Sequence, residues 1–172
     1  MGIISGNVLD FTLNRILDFR RGGKVGPASY DMPIKAVYHV TPREGNLVAR
    51  KVWEKGDGPL TLSTNGYYLA VTEEYYNFPL DTAGLVTVRS TYARLGVFTP
   101  ITLIDPGFEG EIIIEFSASA RITPDVYRVD PSEMFQLVLV ETILPTSGYT
   151  GRYNGQRGLK LPDGASIEVR EQ

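Results

Sequence analysis

Between Arg89 and Glu115 the chain reads RSTYARLGVFTPITLIDPGFEGEIIIE, and the end of that stretch decides the fold. In Glu111-Ile-Ile-Ile-Glu-Phe-Ser117 a period of two puts Ile112, Ile114 and Phe116 on one face of a strand. Glu111, Ile113, Glu115 and Ser117 fall on the other. Asp105-Pro106-Gly107, just upstream, favours a turn for three separate backbone reasons. On pattern alone Glu115 belongs to a solvated outer face. Arg89 and Arg94 then read as surface ion-pair partners, Ser90 as a strand hydroxyl and Asp105 as a turn residue.

Outward from this stretch the β pattern continues through Leu47–Trp53, Tyr67–Thr72, Gly84–Ser90 and Met134–Ile143, with 18 Gly and 11 Pro marking turns such as DGP, DPG and LPDG. Residues 5–20 (SGNVLDFTLNRILDFR) instead place Leu9, Leu13, Ile16 and Leu17 at helical spacing, with Ser5 or Asn7 available as a cap. The expected fold is mostly β, a distorted antiparallel barrel or sandwich with one N-terminal helix. A single domain over residues 1–172 is expected. From Pro145 onward Tyr149, Gly151, Tyr153, Gly155 and Gly158 lack apolar periodicity, so 145–172 is expected to be a mobile arm.

Composition narrows the chemistry. The chain has no Cys and one His, which removes thiolate nucleophiles and every cysteine-based zinc site. His39 sits in the alternating stretch Ile34–Val40 and reads as a structural strand residue. A net charge of −3 without a dense Lys/Arg cluster argues against nucleic acid as the main partner. The apolar runs are too short to span a bilayer, and Met1–Val8 has no secretory-leader character, so the cytoplasm is the expected compartment. Chemistry must rest on carboxylates, hydroxyls, arginines and a hard cation.

Six blocks, in order, carry a resemblance: PASYD at 27–31, GYYLAVTEEYYNFP at 66–79, RSTYARLG at 89–96, IDPGFEGEIIIEF at 104–116, MFQL at 134–137 and GRYNGQRG at 151–158. Together they resemble the dCTP deaminase family, which belongs with the trimeric dUTPases in one β-barrel superfamily. The resemblance implies zinc-free deamination of dCTP to dUTP and ammonia. Glu115 would be the general base, passing a proton from water toward the leaving ammonia, a task suited to a partly desolvated carboxylate. Ser90 and Arg94 would position that water and stabilise developing charge. Arg89 would organise the element and face the phosphates, and Asp105 would accept the 3′-hydroxyl hydrogen bond of the deoxyribose. Tyr149, Arg152, Tyr153 and Gln156 would close over the triphosphate, with Thr91 and Gln136 completing the substrate-binding set. Magnesium would travel with the triphosphate, held mostly by phosphate oxygens and water. The resemblance also implies a homotrimer with active sites between subunits.

The chain departs from the family pattern at Thr91, where a second serine is common, at Pro131-Ser132, where Pro-Gly is frequent, and at Pro100-Ile101-Thr102, where relatives usually show Thr-Ala and a small or polar residue. The last departure falls where the base pocket is expected. Two other readings stay open. A dUTPase would use Asp105 to orient water toward the α-phosphorus, and enzymes with both activities carry both acidic positions. A nucleotide-sensing or assembly module would have kept the fold without the chemistry.

Overall fold

The structure, a computed structural model, describes residues 2–19, 22–119, 126–143, 147–162 and 167–170. A helix, α1 (Gly6–Ile16), comes first, followed by β1 (Tyr30–Asp31), β2 (Ile34–Arg43), β3 (Asn46–Glu54), β4 (Leu60–Ser63) and β5 (Tyr67–Thr72). Next come β6 (Tyr76–Asn77), β7 (Thr82–Val88), a one-turn helix α2 (Ser90–Arg94), β8 (Val97–Phe98), β9 (Thr102–Ile104) and β10 (Glu109–Gly110). The described chain ends with β11 (Ile113–Ala118), β12 (Val126–Val129), a 3-10 turn (Pro131–Glu133), β13 (Phe135–Glu141) and β14 (Ile167–Arg170).

These strands form a six-stranded sheet in the order β14-β3-β2-β5-β11-β8 and a four-stranded sheet in the order β1-β13-β7-β9. Two short ribbons, β10-β6 and β12-β4, sit beside them. Every pairing is antiparallel except β14 on β3. The expected mostly antiparallel β architecture is the one found. Between the sheets lies the main core, in which Val37, Ala70, Ile114 and Phe116 of the larger sheet meet Tyr30, Val86, Leu137 and Leu139 of the smaller. Helix α1 joins this core through the residues its spacing singled out, Leu9, Leu13 and Ile16, all fully buried, with Leu17 just beyond.

A buried polar cluster ties β1 to the end of β5. The Glu74 carboxylate, 1% exposed, accepts hydrogen bonds from the Tyr30 hydroxyl at 2.5 Å and the Tyr76 hydroxyl at 3.0 Å. Thr72 accepts from the Ile112 N–H at 2.9 Å, which anchors the entry to β11. A carboxylate so far from water needs such donors.

Two expectations change. Ser5 occupies the N-cap position of α1 but makes no side-chain capping bond; its carbonyl accepts from Leu9, and the helix ends at Ile16 rather than at Arg20, which lies outside the described residues. The run Gly84–Ser90 is not one strand: β7 stops at Val88, and Ser90 opens α2, in which the N–H groups of Tyr92 and Ala93 donate to the Arg89 carbonyl. One turn of helix is too short to display a 3.6-residue period. The described part of the Gly- and Tyr-rich segment, 147–162, lies against the strands. Residues 144–146, 163–166 and 171–172 of that stretch lie outside the described residues.

Candidate active site

The face of β11 that bears Glu115 is covered. On that side of the six-stranded sheet Ala36, Tyr38, Val40, Ala49, Leu69 and Val71 form a second apolar cluster, with Ile113, Leu159 and Leu161 packed on it. The solvated outer face that the alternation suggested is therefore replaced by an apolar floor under the C-terminal segment. Between floor and cover lies a cavity of about 380 Å³, within the usual range for a small-molecule site.

Its walls come from distant parts of the chain, with Val40 of β2 and Leu47 of β3 among them. Strand β5 gives Tyr67 and Leu69, β9 gives Thr102, Leu103 and Ile104, and the segment from Asp105 to Glu115 gives Asp105, Phe108, Ile112, Ile113 and Glu115. The C-terminal segment closes it with Tyr149, Tyr153, Gln156, Lys160, Leu161 and Pro162. Glu115 is half-buried, and its main-chain carbonyl accepts from the Thr99 hydroxyl at 2.6 Å, fixing β11 against the chain leaving β8. Asp105 is exposed at the rim.

The cover is stitched on by hydrogen bonds. Tyr149 N–H donates to Pro106 O at 2.8 Å, Gly155 N–H to Glu109 O at 2.7 Å, and Glu109 N–H to Asn154 Oδ1 at 2.8 Å. Glu111 N–H donates to Gln156 O at 2.9 Å while Gln156 Nε2 donates to Glu111 O at 2.7 Å. Two glycines make the approach possible. Gly107 (φ +79) would place a Cβ 2.7 Å from Gly148 Cα, and Gly110 (φ +146) one 3.1 Å from Gln156 N. Gln156 is 7% exposed, and its Oε1 is the one buried side-chain oxygen or nitrogen among the described residues without a hydrogen-bond partner. A buried acceptor on a cavity wall is ready for a donor on a ligand.

Electrostatically, Glu115 acts on the Tyr67 hydroxyl. Burial, and then the negative charge of Glu115, raise its pKa above the ordinary phenol value. Tyr67 pairs with Ser117 and Leu69 with Glu115, so Tyr67 is the diagonal neighbour of Glu115 on one face.

Of the residues named from sequence, Glu115, Asp105, Tyr149, Tyr153 and Gln156 come together at this cavity. Ser90, Thr91 and Arg94 do not line it; they are exposed on α2. Arg89 is held away from it by an ion pair with Asp31 at 3.4 Å and a bond from Nη1 to Glu133 O at 3.1 Å, which anchors α2 to the smaller sheet. Gln136 sits on β13 opposite Thr87 and Asp31, on that same sheet. Arg152 is exposed, with its carbonyl accepting from Lys160 Nζ at 2.6 Å. In the departing stretch Pro100-Ile101-Thr102 only Thr102 reaches the cavity, and Ile101 is 73% exposed. His39 lies on β2 stacked on Tyr68 at 4.8 Å, its pKa lowered by burial. Among the described residues no group of three His, Cys, Asp or Glu stands ready to hold a metal ion, and no helix is long and apolar enough to cross a membrane.

A family model described as dCTP deaminase-like matches residues 11–142, which hold every strand of the two sheets but β14 and every wall of the cavity except its C-terminal cover. The chain belongs to the dCTP deaminase-like family. Among curated relatives, the dCTP deaminase of Acidianus ambivalens is 40% identical over 110 residues, covering 63% of this chain and 61% of that protein. That of Desulfurococcus amylolyticus is 43% identical over 110 residues, covering 63% and 58%. The chain thus spans about three fifths of the length of these relatives. In three dimensions it is similar to the 2′-deoxycytidine 5′-triphosphate deaminase of Agrobacterium tumefaciens, with a TM-score of 0.60 at 18% identity over 80% of this chain and 46% of that one. It is also similar to the dUTPase of Staphylococcus bacteriophage 80alpha, with a TM-score of 0.51 at 15% identity over 73% and 86%. At these identities the likeness is one of fold.

Sequence reasoning missed Tyr67 and Lys160 as cavity residues, while Thr102 belongs to the stretch expected at the base pocket. Tyr67 carried a usable signal, being two residues from Leu69 on an alternating strand, but its meeting with Glu115 depends on a pairing between distant segments.

Proposed function

We propose that this dCTP deaminase-like chain converts dCTP to dUTP and ammonia with Glu115 as the proton carrier. The observation that carries this reading is Glu115 itself, a half-buried carboxylate on the wall of an apolar, ligand-sized cavity beneath a hydrogen-bonded cover. Glu115 takes a proton from a water molecule whose oxygen bonds to C4 of the cytosine ring. It then returns that proton to the amino group on C4, which leaves as ammonia, and the remaining proton of the new hydroxyl ends on N3 of uracil. The apolar floor excludes competing water and strengthens each charge interaction inside. Asp105, at the rim, accepts from the sugar hydroxyl.

Ser90 and Arg94, which position the water and compensate charge in this reading, reach the cavity from a second copy of the chain. Supporting this is the apolar surface around them, with Leu95 at 45%, Phe98 at 51% and Leu103 at 59% exposure. A homotrimer completes each site three times. Magnesium enters with the triphosphate, held by phosphate oxygens and water as a hard cation prefers. The cytoplasm, where no disulfide is needed by a chain without Cys, belongs to the same proposal.

A second activity is favoured by one observation: Asp105 lines the same cavity as Glu115. An Asp105-oriented water attacking the α-phosphorus would release pyrophosphate from dUTP. Incubation with dCTP or dUTP plus magnesium, with ammonia and pyrophosphate measured separately, separates the readings. Ammonia from dCTP alone supports the deaminase, and both products support a dual enzyme. Pyrophosphate from dUTP without ammonia makes it a dUTPase, and neither product favours a nucleotide-sensing module.

A further inference from the structure

Four residues before Glu115, Glu111 is also a buried carboxylate, with its side chain 8% exposed. It does not line the cavity. Its Oε2 accepts from Lys35 Nζ on β2 at 2.6 Å and from the backbone N–H of Gly158 in the cover. Its main-chain N–H and carbonyl make the two bonds to Gln156 described above. One residue therefore joins β2, the entry to β11 and the cover. Its contacts bracket Gln156, whose buried Oε1 has no hydrogen-bond partner.

We infer that Glu111 is a positioning residue for the nucleotide site: paired with Lys35, its carboxylate latches the C-terminal segment shut and so sets where Tyr153, Gln156 and Leu161 stand over the cavity. The inference rests on the proposed nucleotide reading for its kinetic consequence, but the latch itself is a property of the free protein. Lys35 supplies the charge that makes a buried carboxylate tolerable, and Gly158 supplies the link to the cover. A charge-assisted bond of this kind is stronger than a neutral one. Without it the backbone bonds at Gly155 and Gln156 remain, so the cover loosens at its far end rather than detaching.

The test uses the full chain and the variants Glu111→Ala, Glu111→Gln and Lys35→Met. Amide hydrogen exchange is measured without nucleotide, and KM and kcat are measured for ammonia release from dCTP. Glu111→Ala is expected to speed exchange at Gly158 by about tenfold or more, the worth of one charge-assisted bond, while Gly155, whose bond to Glu109 remains, changes less and amides paired between β2 and β5 keep their rates. KM rises by a similar factor and kcat changes less than about threefold, because the cover binds ground and transition states alike. Glu111→Gln, which retains an acceptor for Gly158, gives a smaller change in both. Exchange in the cover at the parental rate would overturn the latch. So would acceleration spread evenly over the sheet, which marks a merely structural ion pair, or an unchanged KM in an active enzyme. If even the parent releases no ammonia, the deaminase reading fails, while the exchange data still decide the latch.

Discussion

Tyr67 and Glu115 are diagonal neighbours across β5 and β11, and both line the cavity. Glu115 helps hold the Tyr67 hydroxyl above its ordinary pKa, after burial as the larger cause. Replacing Glu115 with Gln removes the second cause and leaves the first. The Tyr67 resonance in a carbon-labelled tyrosine NMR titration is expected to move to lower pH than in the parent yet stay above the free phenol value. An unchanged Tyr67 titration would place the two groups in separate environments.

Tyr76 is buried, and its pKa is pushed well above the phenol value by burial first and then by Glu74. Its folded-state pKa is raised, so its contribution to stability is complete below the unfolded value of about 10 and is lost as pH rises beyond it. Urea unfolding should show stability falling above about pH 10. Tyr76→Phe should flatten part of that fall while costing about 1–3 kcal/mol at neutral pH, because Glu74 loses one of its donors.

Gly107→Ala forces a side chain toward Gly148 from a left-handed backbone. The expected cost is about 1 kcal/mol or more of stability, together with a displaced cover and a raised KM. Thermal unfolding and steady-state kinetics check both, and a variant with parental KM would show that the cover does not bear on ligand binding.

Phe98→Glu places a charge on the exposed apolar surface beside α2. If the proposed trimer forms, light scattering is expected to show smaller particles than the parent, and ammonia release should fall with the assembled fraction because Ser90 and Arg94 no longer reach Glu115. A fully active monomer would refute the shared site.

Much of this arrangement was legible in the sequence. Alternation alone separated Ile112, Ile114 and Phe116 from Glu115, and helical spacing found the buried stripe of α1. What alternation could not supply was the medium on the second face. Whether Glu115 meets water or an apolar floor depends on Tyr38, Val40 and Leu69 from other strands and on Leu159 and Leu161 from the far end of the chain. The latch at Glu111 was hidden for the same reason, since Lys35 and Gly158 are distant in sequence and Glu111 looks like any outward strand residue. Helix α2 escaped because one turn leaves no period, and the separation of Ser90 and Arg94 from the cavity cannot be read from spacing within one chain.

The most direct measurement of the central claim is ammonia release from dCTP by Glu115→Gln beside the parent, with dCTP binding followed by calorimetry. Glu115 as the proton carrier predicts a rate lower by about 10²–10⁴-fold with binding largely retained. Ammonia release at the parental rate would contradict it.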